Sequence, residues 1–93
     1  MLPRRGMIGQ PTDAPPFKAG KYKHYKGVEY HALTLACHES THEWYVVYRP
    51  LSDNSEEPTT WIRPYNEFFS AVIVDEVVLP RFTYISNDIV DAD

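Results

Sequence analysis

The strongest strand signal in this chain, Trp44-Tyr45-Val46-Val47-Tyr48, runs into Pro50, and the later β-favouring stretches are cut in the same way: Thr59-Thr60-Trp61-Ile62-Arg63 stops at Pro64 and Val77-Val78-Leu79 at Pro80. Proline has no N–H to give a ladder, so each of these three strands is expected to end there. With 93 residues there is material for one core only. A domain of this size buries a modest share of its surface, so its core must be filled densely. Seven Tyr, four Phe and two Trp supply that filling.

Read along the chain, residues 1–19 carry Pro3, Pro11, Pro15, Pro16, Gly6 and Gly9 without a hydrophobic period, and are expected to form a flexible basic leader. From Gly20 the pattern changes. Lys21-Tyr22-Lys23-His24-Tyr25-Lys26 suits a short strand, Lys26-Gly27 a turn, and Val28 to Cys37 a return strand with Val28, Tyr30, Ala32 and Thr34 on one side and Leu33, Leu35 and Cys37 on the other. Ser52 to Pro58 reads as a loop, and Tyr65-Asn66-Glu67-Phe68-Phe69 as one or two helical turns started by Pro64. Ala71 to Val74 and Val77 to Leu79 are strand or buried connection, Arg81 to Ile85 a closing strand, and residues 86–93 an acidic tail. About five short strands and one helical turn predict a mainly β fold, a small antiparallel barrel over residues 20–85.

Charge and cysteine content narrow the setting. The net charge of −4 divides into +5 over residues 1–27 and −9 over residues 28–93. A basic arm could touch nucleic acid or an acidic partner, but the acidic body opposes a broad phosphate-binding face, so nucleic acid is not the favoured partner. The single Cys37 forms no internal disulfide and suits a reducing, cytoplasmic location. No apolar run approaches the length of a bilayer span, so no membrane partner is expected.

Gly20-Lys21-Tyr22-Lys23-His24-Tyr25-Lys26-Gly27, Val46-Val47-Tyr48-Arg49, Trp61-Ile62-Arg63-Pro64 with Phe68, and Pro80-Arg81-Phe82-Thr83-Tyr84-Ile85 occur in this order. Together they resemble the bacterial family catalogued as Domain of Unknown Function 1653, over about residues 20 to 85. The resemblance implies a small SH3-like β-barrel and brings no activity, cofactor or site residue with it. Between His38 and Glu43 the chain departs from the family's pattern, so the resemblance implies no role for His42.

Candidate chemistry then rests on the residues themselves. His38-Glu39-Ser40-Thr41-His42 satisfies the pattern in which histidines one helical turn apart bind zinc and the glutamate activates water, with Glu67 as a conceivable third ligand. The pentapeptide lies between two strand signals, where the imidazoles need not converge, so a metal-dependent hydrolase is the alternative and no metal or other cofactor is expected. Cys37 reads as core filling, and His24 and His31 as partly buried strand residues with one ring nitrogen satisfied. The leading expectation is a noncatalytic binding module. Tyr25, Lys26, Tyr48, Arg49, Trp61 and Arg63 place aromatics beside cations on three strands, a combination that engages a peptide, a nucleic-acid segment or a small anionic ligand. The bland alternative makes Tyr48 and Trp61 core and pairs the arginines with acids. A third reading is a structural or assembly role as an oligomer, completing a marginal core through an open strand edge.

Overall fold

The computed structural model describes residues 14–52 and 59–87. Seven strands and one helical turn follow in the order β1 (Gly20–His24), β2 (Glu29–Cys37), β3 (Trp44–Pro50), β4 (Trp61–Pro64), α1 (Tyr65–Phe68), β5 (Ala71–Val74), β6 (Val77–Pro80) and β7 (Phe82–Ser86). β4, β3, β2, β1 and β7 lie side by side in that order in one antiparallel sheet, and β5 and β6 form a separate two-stranded ribbon. The mainly antiparallel β class with a short helix is therefore correct. The sheet itself is open: β4 and β7 are its edges, and no ladder joins them among the described residues. Side chains bridge the gap instead, since the Arg63 guanidinium on β4 lies 5.8 Å from the Phe82 ring centroid on β7.

Alternation builds the core. Tyr22 on β1, Ala32 on β2, Val46 and Tyr48 on β3 and Phe82 on β7 point to the concave side and are buried with Phe68 of α1. Tyr22, Tyr48, Phe68 and Phe82 meet mostly edge to face at 5.4–5.7 Å, while Phe68 and Phe82 stack at 4.0 Å with only 2° between their planes. A four-residue helix has no stability of its own. It persists because Phe68 is fully buried in this aromatic cluster.

One expected face assignment differs in the structure. The β2–β3 register slips between Ala32 and Thr34, so that Ala32 opposes Tyr48 and Leu35 opposes Val46. Leu33 is the extra residue of a bulge, which reverses the phase beyond it. Leu35 joins the core side with Ala32, and Thr34 turns outward. Strict alternation, which grouped Thr34 with Ala32, has no means of registering an inserted residue.

The last residues of the expected leader also dock. Tyr22 donates its hydroxyl to the Lys18 carbonyl at 2.7 Å, Tyr65 donates to the Pro16 carbonyl at 2.6 Å, and Phe17 packs against the core. Apolar Phe17 and two phenols needing acceptors outweigh the proline-rich composition there. The rest of the leader (1–13), most of the Ser52 to Pro58 loop and the tail from residue 88 lie outside the described residues.

The stretch from Ala71 to Pro80, strand or connection by sequence, is a hairpin turned by Asp75 and Glu76, both at positive φ (52° and 66°). Ile73 and Val78 face each other across it and are 75% and 67% exposed, and neither strand carries a charge. Among the described residues no helix is long and apolar enough to cross a membrane.

Candidate functional site

The candidate site grows from the end of β1. His24 is its last residue, on the same face as buried Tyr22, and Phe82 of β7 lies directly opposite. Beyond it Tyr25, Lys26 and Gly27 make a tight turn: His24 N–H donates to the Val28 carbonyl at 2.8 Å, Gly27 N–H to the His24 carbonyl at 2.7 Å, and Lys26 N–H to His24 Nδ1 at 3.1 Å. Gly27 holds φ +110°, which the turn requires and other residues resist. Because the chain is no longer a strand here, the alternation that would separate Tyr25 from its neighbours does not operate. The Tyr25 ring instead lies 4.5 Å from the His24 ring, the Lys26 Nζ is 5.9 Å from Tyr25, and Tyr25 N–H is anchored on the Arg81 carbonyl at 2.9 Å.

β4 brings the second half of the site. Trp61 and Arg63 are two residues apart and therefore share a face, and the ladder sets Trp61 opposite Tyr48 and Arg63 opposite Val46. Arg63 Nε donates to the Tyr48 hydroxyl at 3.3 Å, and Nη1 stands 3.8 Å from Glu67 Oε1, one turn along α1. Both contacts are long, the Glu67 carboxylate is half exposed, and the guanidinium has further donors without an acceptor among the described residues. The hydrogen bond to Tyr48 holds Arg63 firmly in its charged form against the opposing effect of partial burial. Trp61 is 51% exposed, so it is not core; Tyr48, at 6%, is.

The expected group of six is thus only partly brought together. Arg63 and Trp61 share the open side of β4 with the hydroxyl of Tyr48, while Tyr25 and Lys26 reach the same end of the sheet through His24, whose ring sits 4.9 Å from the Phe82 ring on which Arg63 also rests. Tyr48 cannot offer its ring to a ligand because it is buried; its place is to orient Arg63. Arg49 drops out, since it follows Tyr48 in β3, points to the convex face and opposes His31. His24, Tyr30 and Phe82 were not among the six. Their convergence depends on the curl of the sheet, although His24 carries the expected satisfied ring nitrogen.

The electrostatics are lopsided. Partial burial first, then the nearby charges of Arg63, Lys26 and Arg81, hold His24 below the usual imidazole value. Its Nδ1 accepts a backbone N–H, so the neutral ring carries its proton on Nε2. Glu67 is the one carboxylate paired to this group among the described residues.

The zinc-like pentapeptide has a different geometry. His38 N–H donates to the Glu43 carbonyl and His42 N–H to the His38 carbonyl, closing the β2–β3 hairpin, with His42 in the left-handed region at φ 62°. Nδ1 of His38 accepts from the Ser40 and Thr41 amides at 3.2 and 3.3 Å, so that nitrogen serves the turn. Glu67 is engaged with Arg63, and no group of three or more His, Cys, Asp or Glu side chains is placed to hold a metal among the described residues. The neighbouring Cys37 is only partly buried at the end of β2.

An open antiparallel sheet packed on an aromatic core, with cationic side chains gathered near Phe82, defines the class as a small, mainly β domain. The chain belongs to the protein family of unknown function DUF1653, whose model matches residues 20–84. It is similar to a DUF1653 protein from Bordetella bronchiseptica known from its crystal structure, with 35% identity and a TM-score of 0.67, covering 76% of this chain and 90% of that one. No curated protein matches.

Proposed function

We propose that the protein is a noncatalytic binding module that takes an anionic group of its ligand, a carboxylate or phosphate on a small molecule or peptide, at Arg63 beside the exposed face of Trp61. The observation that supports this reading is the state of Arg63: a guanidinium oriented by a buried phenol, loosely paired with one carboxylate and still 28% exposed with donors to spare. Arginine offers a planar fork that matches carboxylate and phosphate oxygens, and an indole next to it adds a stacking surface. Lys26 and Arg81 add to the attraction by charge. Trp61 makes the test direct. Titration of the protein with a small-anion panel (inorganic phosphate, citrate, nucleoside monophosphates) should quench or shift indole fluorescence saturably, and Arg63→Ala should weaken the tightest of these by at least about tenfold, the loss of one charge-assisted contact. Equal affinity in Arg63→Ala, or no saturable binder in the panel, defeats the proposal.

A second reading, assembly into an oligomer, is favoured by the uncharged β5–β6 ribbon. Isolated two-stranded ribbons are marginal in water, and natural edges are normally blunted with charge, which β5 and β6 lack. If this ribbon is an interface, light scattering at micromolar concentration reports a dimer or larger species, and Val78→Lys converts it to monomer. A wild-type monomer throughout that range ends this reading.

A further inference from the structure

Resting on the reading of Arg63 as an anion site, we infer that binding there is proton-linked: the bound anion draws a proton onto His24, so a ligand of constant charge binds more tightly as the pH falls.

The geometry carries the coupling. His24 and Arg63 come from strands separated by two others in the sheet order, yet both lie against Phe82, at 4.9 and 5.8 Å from its centroid. The groups that face His24 are Tyr25 and Lys26 from its own turn, Tyr30 from β2, Arg63 from β4, and Arg81 and Phe82 at the start of β7. Three of these are cations and two are phenols. Among the described residues one carboxylate is paired with this group, Glu67 beside Arg63, and it is half exposed. A proton on His24 therefore adds a further positive charge to an end that already has an excess of it. An anion held by Arg63 cancels that opposition, because the same oxygens that attract the guanidinium also attract an imidazolium beside it.

Protonation has a structural consequence that makes it visible. Neutral His24 accepts the Lys26 amide on Nδ1, and an imidazolium has no lone pair there. The Lys26 N–H must give up this acceptor when His24 becomes charged, and the turn can adjust at Gly27, which is exposed and has open space where a β-carbon would stand. The device thus joins a ligand contact on β4 to a backbone contact in the β1–β2 turn. The sign follows from linkage: His24 in the free protein resists protonation, so a ligand that favours it must bind better where protons are plentiful, and reciprocally must raise the pH at which His24 titrates.

The experiment is an NMR titration of all four imidazoles and of the Lys26 amide in the full chain, with sulfate as probe because its charge is constant over the range, against sodium chloride of equal ionic strength. Sulfate is expected to move the His24 midpoint upward while His31, His38 and His42 stay in place, to shift the Lys26 amide in step with it, and to bind at least about twofold more tightly at pH 5.5 than at pH 7.5. Arg63→Gln removes the sulfate effect and, with no anion present, lets His24 protonate more readily by deleting a neighbouring cation. Amides around Arg63 and Trp61 that respond saturably to sulfate while the His24 midpoint stays fixed overturn the linkage and leave the anion site standing. Sulfate that perturbs none of these amides overturns both. A shift shared by every histidine, or reproduced by chloride, means ionic screening only and also overturns the linkage. The wild-type titration decides these outcomes even if the variant fails to fold.

Discussion

Phe68→Ala is expected to destabilise the protein by about 3–5 kcal/mol, the range for removing a large aromatic from a packed core. Phe68 is fully buried, stacks on Phe82 at 4.0 Å, and meets Tyr22 and Tyr48 edge to face at 5.4 Å, so its loss opens a cavity at the centre of the cluster. Phe68 is the one buried side chain of α1, whose other anchors are the Tyr65 hydroxyl on the Pro16 carbonyl and the long Arg63–Glu67 ion pair. Domains of this size are stable by roughly 5–10 kcal/mol, so the variant is left with a small margin. Urea denaturation followed by fluorescence checks it: the midpoint should fall steeply, and Phe68→Leu, which refills much of the volume, should recover about half of the loss. A drop below about 1 kcal/mol for Phe68→Ala contradicts the packing described.

Gly20→Ala carries the second-largest expected effect, about 2–4 kcal/mol, from a single methyl group. Gly20 is buried at φ +146°, a conformation that L side chains rarely adopt. A β-carbon there would stand 2.6 Å from the Ser86 carbonyl oxygen and 3.0 Å from the Asn87 α-carbon, both backbone atoms that cannot swing aside. The conflict is settled by pushing β7 away from β1, which also disturbs the Tyr22–Tyr84 contact and the Lys18 ammonium over Tyr84 at 4.5 Å. Hydrogen exchange should therefore show the β7 amides losing protection before those of β2 and β3. Gly27→Ala is the control: its φ is also positive but nothing lies within 4 Å, so only the backbone term of about 1 kcal/mol applies. Equal losses in the two variants would show that the close approach of β7 to Gly20 is not what matters.

Much of the molecule is legible in residue order. The prolines at 50, 64 and 80 mark strand ends, with Pro50, Pro64 and Pro80 as the last residues of β3, β4 and β6. Pro64 also precedes the helical turn, as the cap before Tyr65 rather than as its first residue. That Arg63 and Trp61 lie together is legible in the aromatic–cation grouping, because residues two apart in a strand share a face wherever the strand lies. The same rule misleads at Thr34 and Tyr25. A bulge inserts a residue at Leu33, and the strand ends at His24, so parity counted along the chain loses its meaning at both points. The zinc-like pentapeptide shows the converse: its literal pattern is intact, but strand-forming neighbours place it in a hairpin loop, where the His38 Nδ1 is taken by the turn amides.

Local chemistry therefore settled the short antiparallel strands, the turn at Gly27, the single helical turn and the shared face of Trp61 and Arg63, since each depends on steric or hydrogen-bonding preferences of a few consecutive residues. Whether Tyr48 is a ligand surface or a core ring, that Arg49 faces away, and that His24 and Arg63 both lie against Phe82 were decided only in three dimensions. These depend on how far the sheet curls and where its register slips, which are properties of strands packed on one another and are written in no single segment.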